Sequence, residues 1–219
     1  MRNIAIIPAR GGSKRFPEKN IKLLGKQPLL VHSIQFALEN REIIDEVYVS
    51  TDNIFIKKIA LDNGAKVIDR PSLLSGDFEP TVSALKHVLE TISQDVQNVI
   101  LLQPTNPLRP NNLLKRSFNE YQNGNYDSLF TVSRNHQKLG KIAENKFQPF
   151  NYTIGQRSQD LEPLFFENGL LYITKASLIL KDIIISENAF PFEVNHIFAN
   201  VDIDIQEDLD YAEYLFKNQ

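Results

Sequence analysis

The chain has 219 residues, 42% of them hydrophobic and 23% charged, with 24 basic against 27 acidic side chains and a net charge of −3. That is enough for one α/β domain with a substantial core and short for two, and the slight acidic surplus argues against a nucleic-acid binder. Cysteine is absent, which excludes disulfides and thiolate chemistry; no apolar run reaches membrane-spanning length and no signal peptide precedes the first strand, so no membrane partner and a cytoplasmic setting are expected.

Taken in order, Ile4-Ala5-Ile6-Ile7-Pro8-Ala9 is apolar throughout, as in a central strand of a parallel sheet buried on both faces. A polar loop over 10–20 follows. Leu30, Ile34, Ala37 and Leu38 then recur at helical spacing. A short strand over 47–49 ends in Ser50-Thr51-Asp52, where Asp52 is expected to serve in capping. Asn53 is a second N-cap for a helix over 54–63 that stops at Gly64. A third strand, 66–68, runs into Asp69-Arg70-Pro71. Val82, Leu85, Leu89 and Ile92 mark the next helix, 99–102 the next strand, Leu114, Phe118 and Tyr121 a fourth helix, and 129–132 a fifth strand. This alternation predicts an α/β, Rossmann-like, mainly parallel sheet with helices on both faces.

From about 133 to 168 the alternation stops. The segment is polar and reads as a functional loop or as an arm packed on another subunit. A strand over 170–173, a short helix near 175–180 and a final strand near 196–201 follow, and a C-terminal helix carries Leu209, Ala212 and Phe216 on one face. With no repeat or linker, a single domain over 1–219 is expected, with 133–168 as its arm.

Parallel strands deliver their C-terminal residues to one edge, where ligands of open α/β sheets bind. The first strand ends there in Arg10-Gly11-Gly12-Ser13-Lys14-Arg15-Phe16-Pro17-Glu18-Lys19-Asn20. Gly11 and Gly12 allow backbone N–H groups to approach an anion, Ser13 adds a hydroxyl, and Arg10, Lys14, Arg15 and Lys19 add charge. Two adjacent glycines alone fit an ordinary turn; the four cations favour a polyphosphate cradle. The spacing is not that of a P-loop, and the third glycine of a dinucleotide fingerprint is missing. Other exits carry Arg70, which could pair with a surface carboxylate, and Gln103-Pro104-Thr105-Asn106-Pro107-Leu108-Arg109, which could be a rigid turn. Asp202 and Asp204 lie two residues apart, so an extended chain turns both towards one cation, with Mg²⁺ the suitable hard ion; the alternative is a solvated acidic turn before the last helix.

The loop resembles that of the cytidylyltransferases that activate sialic acids, the N-acylneuraminate cytidylyltransferase family, in Ala9-Arg10-Gly11-Gly12-Ser13-Lys14 and Pro17-Glu18-Lys19-Asn20. Gly64-Ala65-Lys66-Val67-Ile68-Asp69-Arg70 and the run from Gln103 to Arg109 match too, with Asn106 where the family has serine. Asp202-Ile203-Asp204 stands where the family ends its sheet in Asp-x-Asp. Tyr126-Asp127-Ser128, Arg134-Asn135-His136-Gln137, Arg157-Ser158-Gln159-Asp160 and Glu167-Asn168-Gly169 follow the sialate branch in order, although Ser158 replaces a common second arginine.

The resemblance implies a nucleotidyltransferase (GT-A-like) fold with a dimerisation arm, a homodimer, and synthesis of a CMP-activated nonulosonic (sialic-type) acid and pyrophosphate from CTP and the free acid. It implies that Arg10, Gly11, Gly12, Ser13, Lys14 and Lys19 hold the triphosphate, and that Asn20 and Arg70 hold the nucleoside. Gln103 would face the sugar acid, Arg157 would reach a sugar site across the subunit interface, and Asp202 and Asp204 would bind Mg²⁺. A branch that activates 3-deoxy-manno-octulosonic acid (KDO) usually has Ser-x-Arg-Leu-Pro-Gly-Lys in its loop, which is absent here. Glu167-Asn168-Gly169-Leu170-Leu171-Tyr172-Ile173 follows the sialate pattern over a pseudaminic one; a CMP-KDO or a CMP-pseudaminic or legionaminic acid synthetase is the enzymatic alternative. The non-enzymatic alternative is a nucleotide-binding regulatory module on the same scaffold, against which the paired aspartates stand.

Overall fold

The computed structural model describes residues 2–218. Strand β1 (Arg2–Pro8) is followed by a two-residue ribbon, β2 (Leu23–Leu24) with β3 (Gln27–Pro28), and by helix α1 (Leu29–Glu39). Then come β4 (Glu46–Thr51), α2 (Ile54–Asp62), β5 (Lys66–Asp69), α3 (Thr81–Thr91), β6 (Val96–Leu101) and α4 (Leu113–Asn123). The second half holds β7 (Ser128–Asn135), β8 (Gly140–Ala143), β9 (Lys146–Pro149), β10 (Leu164–Lys175), α5 (Ala176–Ile179), β11 (Ala189–Glu193) and α6 (Gln206–Lys217). Seven strands form one sheet in the order β11-β7-β10-β6-β1-β4-β5. All pairings are parallel except the two made by β10, which runs against both β6 and β7. The expected mostly parallel sheet is therefore present, with one reversed strand inside it.

The apolar character of β1 has a direct cause. Ala5 and Ile7 enter a cluster with residues of α1, α2 and α4, including Leu30, Ile34, Ile56 and Leu114. Ile4 and Ile6 point the other way, into a cluster with Val82, Leu85 and Val88 of α3 and Ala176 and Ile179 of α5. Period-2 alternation thus puts an apolar side chain on each face, and both faces are covered. A third cluster joins Phe16 of the loop, Leu108, Val201 and Ile203 to Leu209, Ala212 and Leu215 of α6. Among the described residues no helix is long and apolar enough to cross a membrane.

Several elements differ from expectation. The segment 133–168 is only partly irregular. β7 continues to Asn135 and β10 already starts at Leu164, the two pairing from Leu164 opposite Asn135 to Glu167 opposite Val132. Between them β8 and β9 form a hairpin whose turn residues, Glu144 and Asn145, have φ of 51° and 59°. That is the primed-turn geometry usually written Asn-Gly, and Glu-Asn hides it. No strand forms at 196–201; residues Ile197–Asn200 are a 3-10 turn, and the strand is β11, on the sheet edge. Pro191 within β11 masks it, because proline is tolerated only where a ladder donor is not needed. In α6 the buried face is Leu209, Ala212 and Leu215, while Phe216 is 37% exposed and packs edge-on against His32.

Candidate active site at the strand ends

The polar loop after β1 is pinned at several points. Asn20, buried, donates from Nδ2 to the Arg10 carbonyl at 2.9 Å, closing the loop on itself. Gly11 N–H donates to Asp52 Oδ1 at 2.8 Å. Asp52 therefore holds this loop and does not cap α2; the cap is Asn53, whose Oδ1 accepts from the N–H groups of Phe55 and Ile56. The Gly11 amide is thereby taken, a departure from its expected approach to an anion. Glycine is required there for space, since a Cβ would lie 2.9 Å from the Asn53 Cβ. A Cβ at Gly12 would meet nothing within 4 Å, so Gly12 borders open space.

Phe16, 8% exposed, plugs the loop into the cluster that also contains Ile203. Because Ile203 is flanked by the two aspartates, this shared burial brings loop cations to them. Lys19 Nζ lies 2.7 Å from Asp204 Oδ1 and Arg15 2.6 Å from Asp204 Oδ2. Burial alone would raise the Asp204 carboxyl, but the Lys19 and Arg15 charges pull it below its ordinary range. Asp202 has the opposite balance. It is open at a cavity mouth, and the protein crowding it raises its carboxyl, against a hydrogen bond from Thr105 and with help from the Asp204 charge. The pair lies outside any strand, tied by Ile203 N–H to the Thr105 carbonyl at 2.9 Å. Among the described residues no group of three or more His, Cys, Asp or Glu converges. A cation here would rest on two carboxylates plus substrate oxygens and water, a donor set that fits Mg²⁺.

Arg70 is buried, its Nε bonding Ser50 Oγ at 3.0 Å and its Nη2 the Ser50 carbonyl. Among the described residues it makes no ion pair. Burial pulls its guanidinium down to about 10, with the Asp52 charge opposing that fall. Arg10, Ser13, Lys19, Asn20, Arg70 and Gln103 line one cavity. Gln103 also borders two further cavities, one with Asp202, Asn168 and Gly169, the other with Val82, Leu101 and Ile184. The expected residues of the loop, of β5 and of the Gln103 turn therefore meet around one side chain.

Sequence reasoning assigned no role to the residues that hold this junction. Arg109 is buried, and among the described residues it has no carboxylate partner. It donates to the Leu170 carbonyl (2.8 Å), Ser33 Oγ (3.1 Å) and the Gln103 carbonyl (3.0 Å), with burial lowering its guanidinium to about 9. Asn106 donates to the carbonyls of Asn168 and Val201. Gly169, at φ +74°, faces it so closely that a Cβ would lie 2.8 Å from Asn106 Oδ1. Tyr172, on β10, donates its hydroxyl to Glu167, and burial together with that carboxylate keeps the phenol protonated. Both residues line the two further cavities. The Asn-Gly pair at 168–169 is a visible signal of its own, since it marks a position needing positive φ.

Arg157 stands apart. It is 70% exposed, forks onto Asp160 at 2.7 and 3.1 Å, and does not line the cavities around Gln103 within its own chain. Lys14 does not itself line these cavities; it is 84% exposed and pairs with Asp77, which lines the first of them.

Residues 4–219 match a family model described as cytidylyltransferase. The chain belongs to the cytidylyltransferase family. It is 34% identical over 230 residues to the pseudaminic acid cytidylyltransferase of Campylobacter jejuni (strain 81-176), covering 99% of this chain and 97% of that relative. It is 33% identical over 231 residues to the CMP-N,N'-diacetyllegionaminic acid synthase of Legionella pneumophila, with the same coverage. An N-acylneuraminate cytidylyltransferase of Streptococcus agalactiae is 29% identical over 215 residues; this cytidylyltransferase-family chain spans about half of that relative's length, 52%, with 95% of its own. A solved CMP:2-keto-3-deoxy-manno-octonic acid synthetase in complex with CTP superposes with a TM-score of 0.75 at 17% identity, covering 100% of this chain and 99% of that one. A 4-diphosphocytidyl-2C-methyl-D-erythritol synthase superposes with a TM-score of 0.69 at 16% identity, covering 98% and 99%. Both likenesses are of fold.

Proposed function

We propose that this chain is a Mg²⁺-dependent cytidylyltransferase that converts CTP and a nonulosonic, sialic-type acid to the CMP-sugar and pyrophosphate. The observation that carries this reading is the meeting of three surfaces at Gln103: a cation-lined cavity, a carboxylate-bearing cavity at Asp202, and a mixed one beside Tyr172. The anomeric hydroxyl of the acid gives up its proton to solvent and attacks the α-phosphorus; the new O–P bond forms as the α–β bridge breaks and pyrophosphate leaves. Such a transfer depends on positioning and charge neutralisation rather than covalent help from the protein. Arg10, Lys14 and Lys19 neutralise the triphosphate, with Ser13 and the open backbone at Gly12 beside them. Arg70, held rigid by Ser50, and Asn20 wall the nucleoside, and Gln103 orients the acid.

Asp202 and Asp204 hold the Mg²⁺, which when bound supplies positive charge at the reacting phosphate. The family assignment supports CTP as nucleotide. The names of the relatives support a nine-carbon acid without choosing among them. The chain forms one domain whose segment 133–168 docks on a second copy and brings Arg157 to that copy's acid site. Pyrophosphate release tests the reading: CTP is expected to be used in clear preference to ATP, GTP and UTP at subsaturating concentration, with one of N-acetylneuraminic, legionaminic or pseudaminic acid as co-substrate. Equal release from all four nucleotides, or none with any acid, would sink it.

A further inference from the structure

The loop cations are held in two clasps. One is the Asp204 clasp on Lys19 and Arg15. The other grips an acid from a different part of the chain. Arg10 Nη2 lies 3.1 Å from Asp77 Oδ1 and Lys14 Nζ 2.5 Å from Asp77 Oδ2, and Arg10 Nη1 also donates to the carbonyls of Ser75 and Gly76. Asp77 belongs to the segment between β5 and α3. That segment is weakly anchored by apolar side chains: Leu73 is 83% exposed and Phe78 fully exposed, and only Leu74 is half-buried. Its attachment to the loop is polar, and Gly76, Asp77 and Glu79 share the cavity lined by Arg10, Ser13, Lys19 and Arg70.

A carboxylate whose two oxygens accept from a guanidinium and an ammonium makes the same contacts as a phosphate in that place. We propose that Asp77 is a built-in stand-in for a phosphate: it occupies the Arg10–Lys14 clasp, and a polyphosphate binds by displacing it, with the segment around it swinging away. The inference rests on the reading of the loop as a triphosphate cradle. It extends that reading by making nucleotide binding an exchange of anions. After turnover Asp77 competes with pyrophosphate for the same cations, so the segment that resists entry also promotes product release.

Isothermal titration of the full chain with CTP and, separately, with inorganic pyrophosphate tests this, in chelator so that no metal contributes. Asp77→Asn and Asp77→Ala are each expected to bind both ligands roughly fivefold more tightly, the scale set by exposed ion pairs. The gain should be alike for the two ligands, because the base takes no part. Unchanged or weakened affinity in variants that melt as the parent does would overturn the proposal, the weakened case making Asp77 a ligand holder. If the parent binds CTP and pyrophosphate and the variants do not differ, the cradle stands and the stand-in fails; if the parent binds neither, both fall. Hydrogen exchange of the parent is the second measurement, independent of variant folding. Amides over 72–80 should lose protection on adding pyrophosphate, and constant protection would count against the displacement.

Discussion

Phe16 shows how one apolar side chain positions charge. Its ring lies in the cluster with Ile203 and Leu209, so the cations on either side of it cannot drift from the aspartates flanking Ile203. Asp204 is where the consequence is measurable. Its pairs with Lys19 and Arg15 are partly open to solvent, 32% on the Asp204 side, and exposed pairs contribute only about 0–1 kcal/mol. Asp204→Asn is therefore expected to melt close to the parent. Turnover should nevertheless fall roughly a hundredfold or more across a Mg²⁺ titration, because a Lewis-acid ion supplies several kcal/mol of transition-state stabilisation. Near-parent turnover at limiting Mg²⁺ would move the metal elsewhere. Residues such as Arg10, Arg70 and Gln103 were legible because each ends a strand inside a short local motif. Asp77 was not, since what makes it notable is a partner distant in sequence, Arg10; Glu167 and Arg109 stand inside motif runs, but their roles come from partners that the runs do not reveal, such as Leu170 for Arg109. Tyr172, only five residues from Glu167, becomes its partner through a register shift in β10 that local pattern does not reveal.

Strands with both faces buried were read well and edge strands unevenly: β5, on one edge, was found, while β11, on the other, was not. Helices α1 to α4 and strands β1, β4, β5 and β6 announce themselves through apolar period; β11 and the β8–β9 hairpin bury too little to do so. The reversal of β10 is invisible to periodicity, which reports spacing and not direction. At this scale His32 joins three elements. It sits on α1, its Nε2 is 3.1 Å from the Leu24 carbonyl of β2, and its ring meets Phe216 of α6 edge-on. Burial lowers its folded pKa below the ordinary 6.5, against hydrogen bonds to Leu24 and Gln27 that raise it. The unfolded chain then takes up a proton more readily than the folded one. Stability is full above about pH 6.5, the unfolded value, and declines as pH falls through the window down to the folded value. Thermal melts at pH 7.5 and 5.5 should show that decline in the parent and a smaller one in His32→Gln. Equal declines in both would show that the acid sensitivity lies elsewhere.

For the molecule as a whole, one stretch carries a run of exposed apolar residues. Ile142, Phe147, Phe150 and Ile154 follow one another along the hairpin and its exit, and Phe165 and Phe166 stand at the start of β10. A monomer leaves that surface in water at a cost, which favours a second copy over it. Light scattering is expected to give a dimer, and Phe147→Asp with Phe150→Asp a monomer of much reduced turnover because Arg157 is then withdrawn from its neighbour. A fully active monomer would refute the shared site. The reversed strand gives this arrangement a further meaning. Because β10 runs against β7, the chain leaves and re-enters the sheet at the same edge, bracketing the hairpin between Asn135 and Leu164. The buried layers do not depend on what is carried between those two points. The edge acts as a socket: a hairpin plugged in there can be lengthened, shortened or exchanged without disturbing the layers wired through β1, β4 and β5.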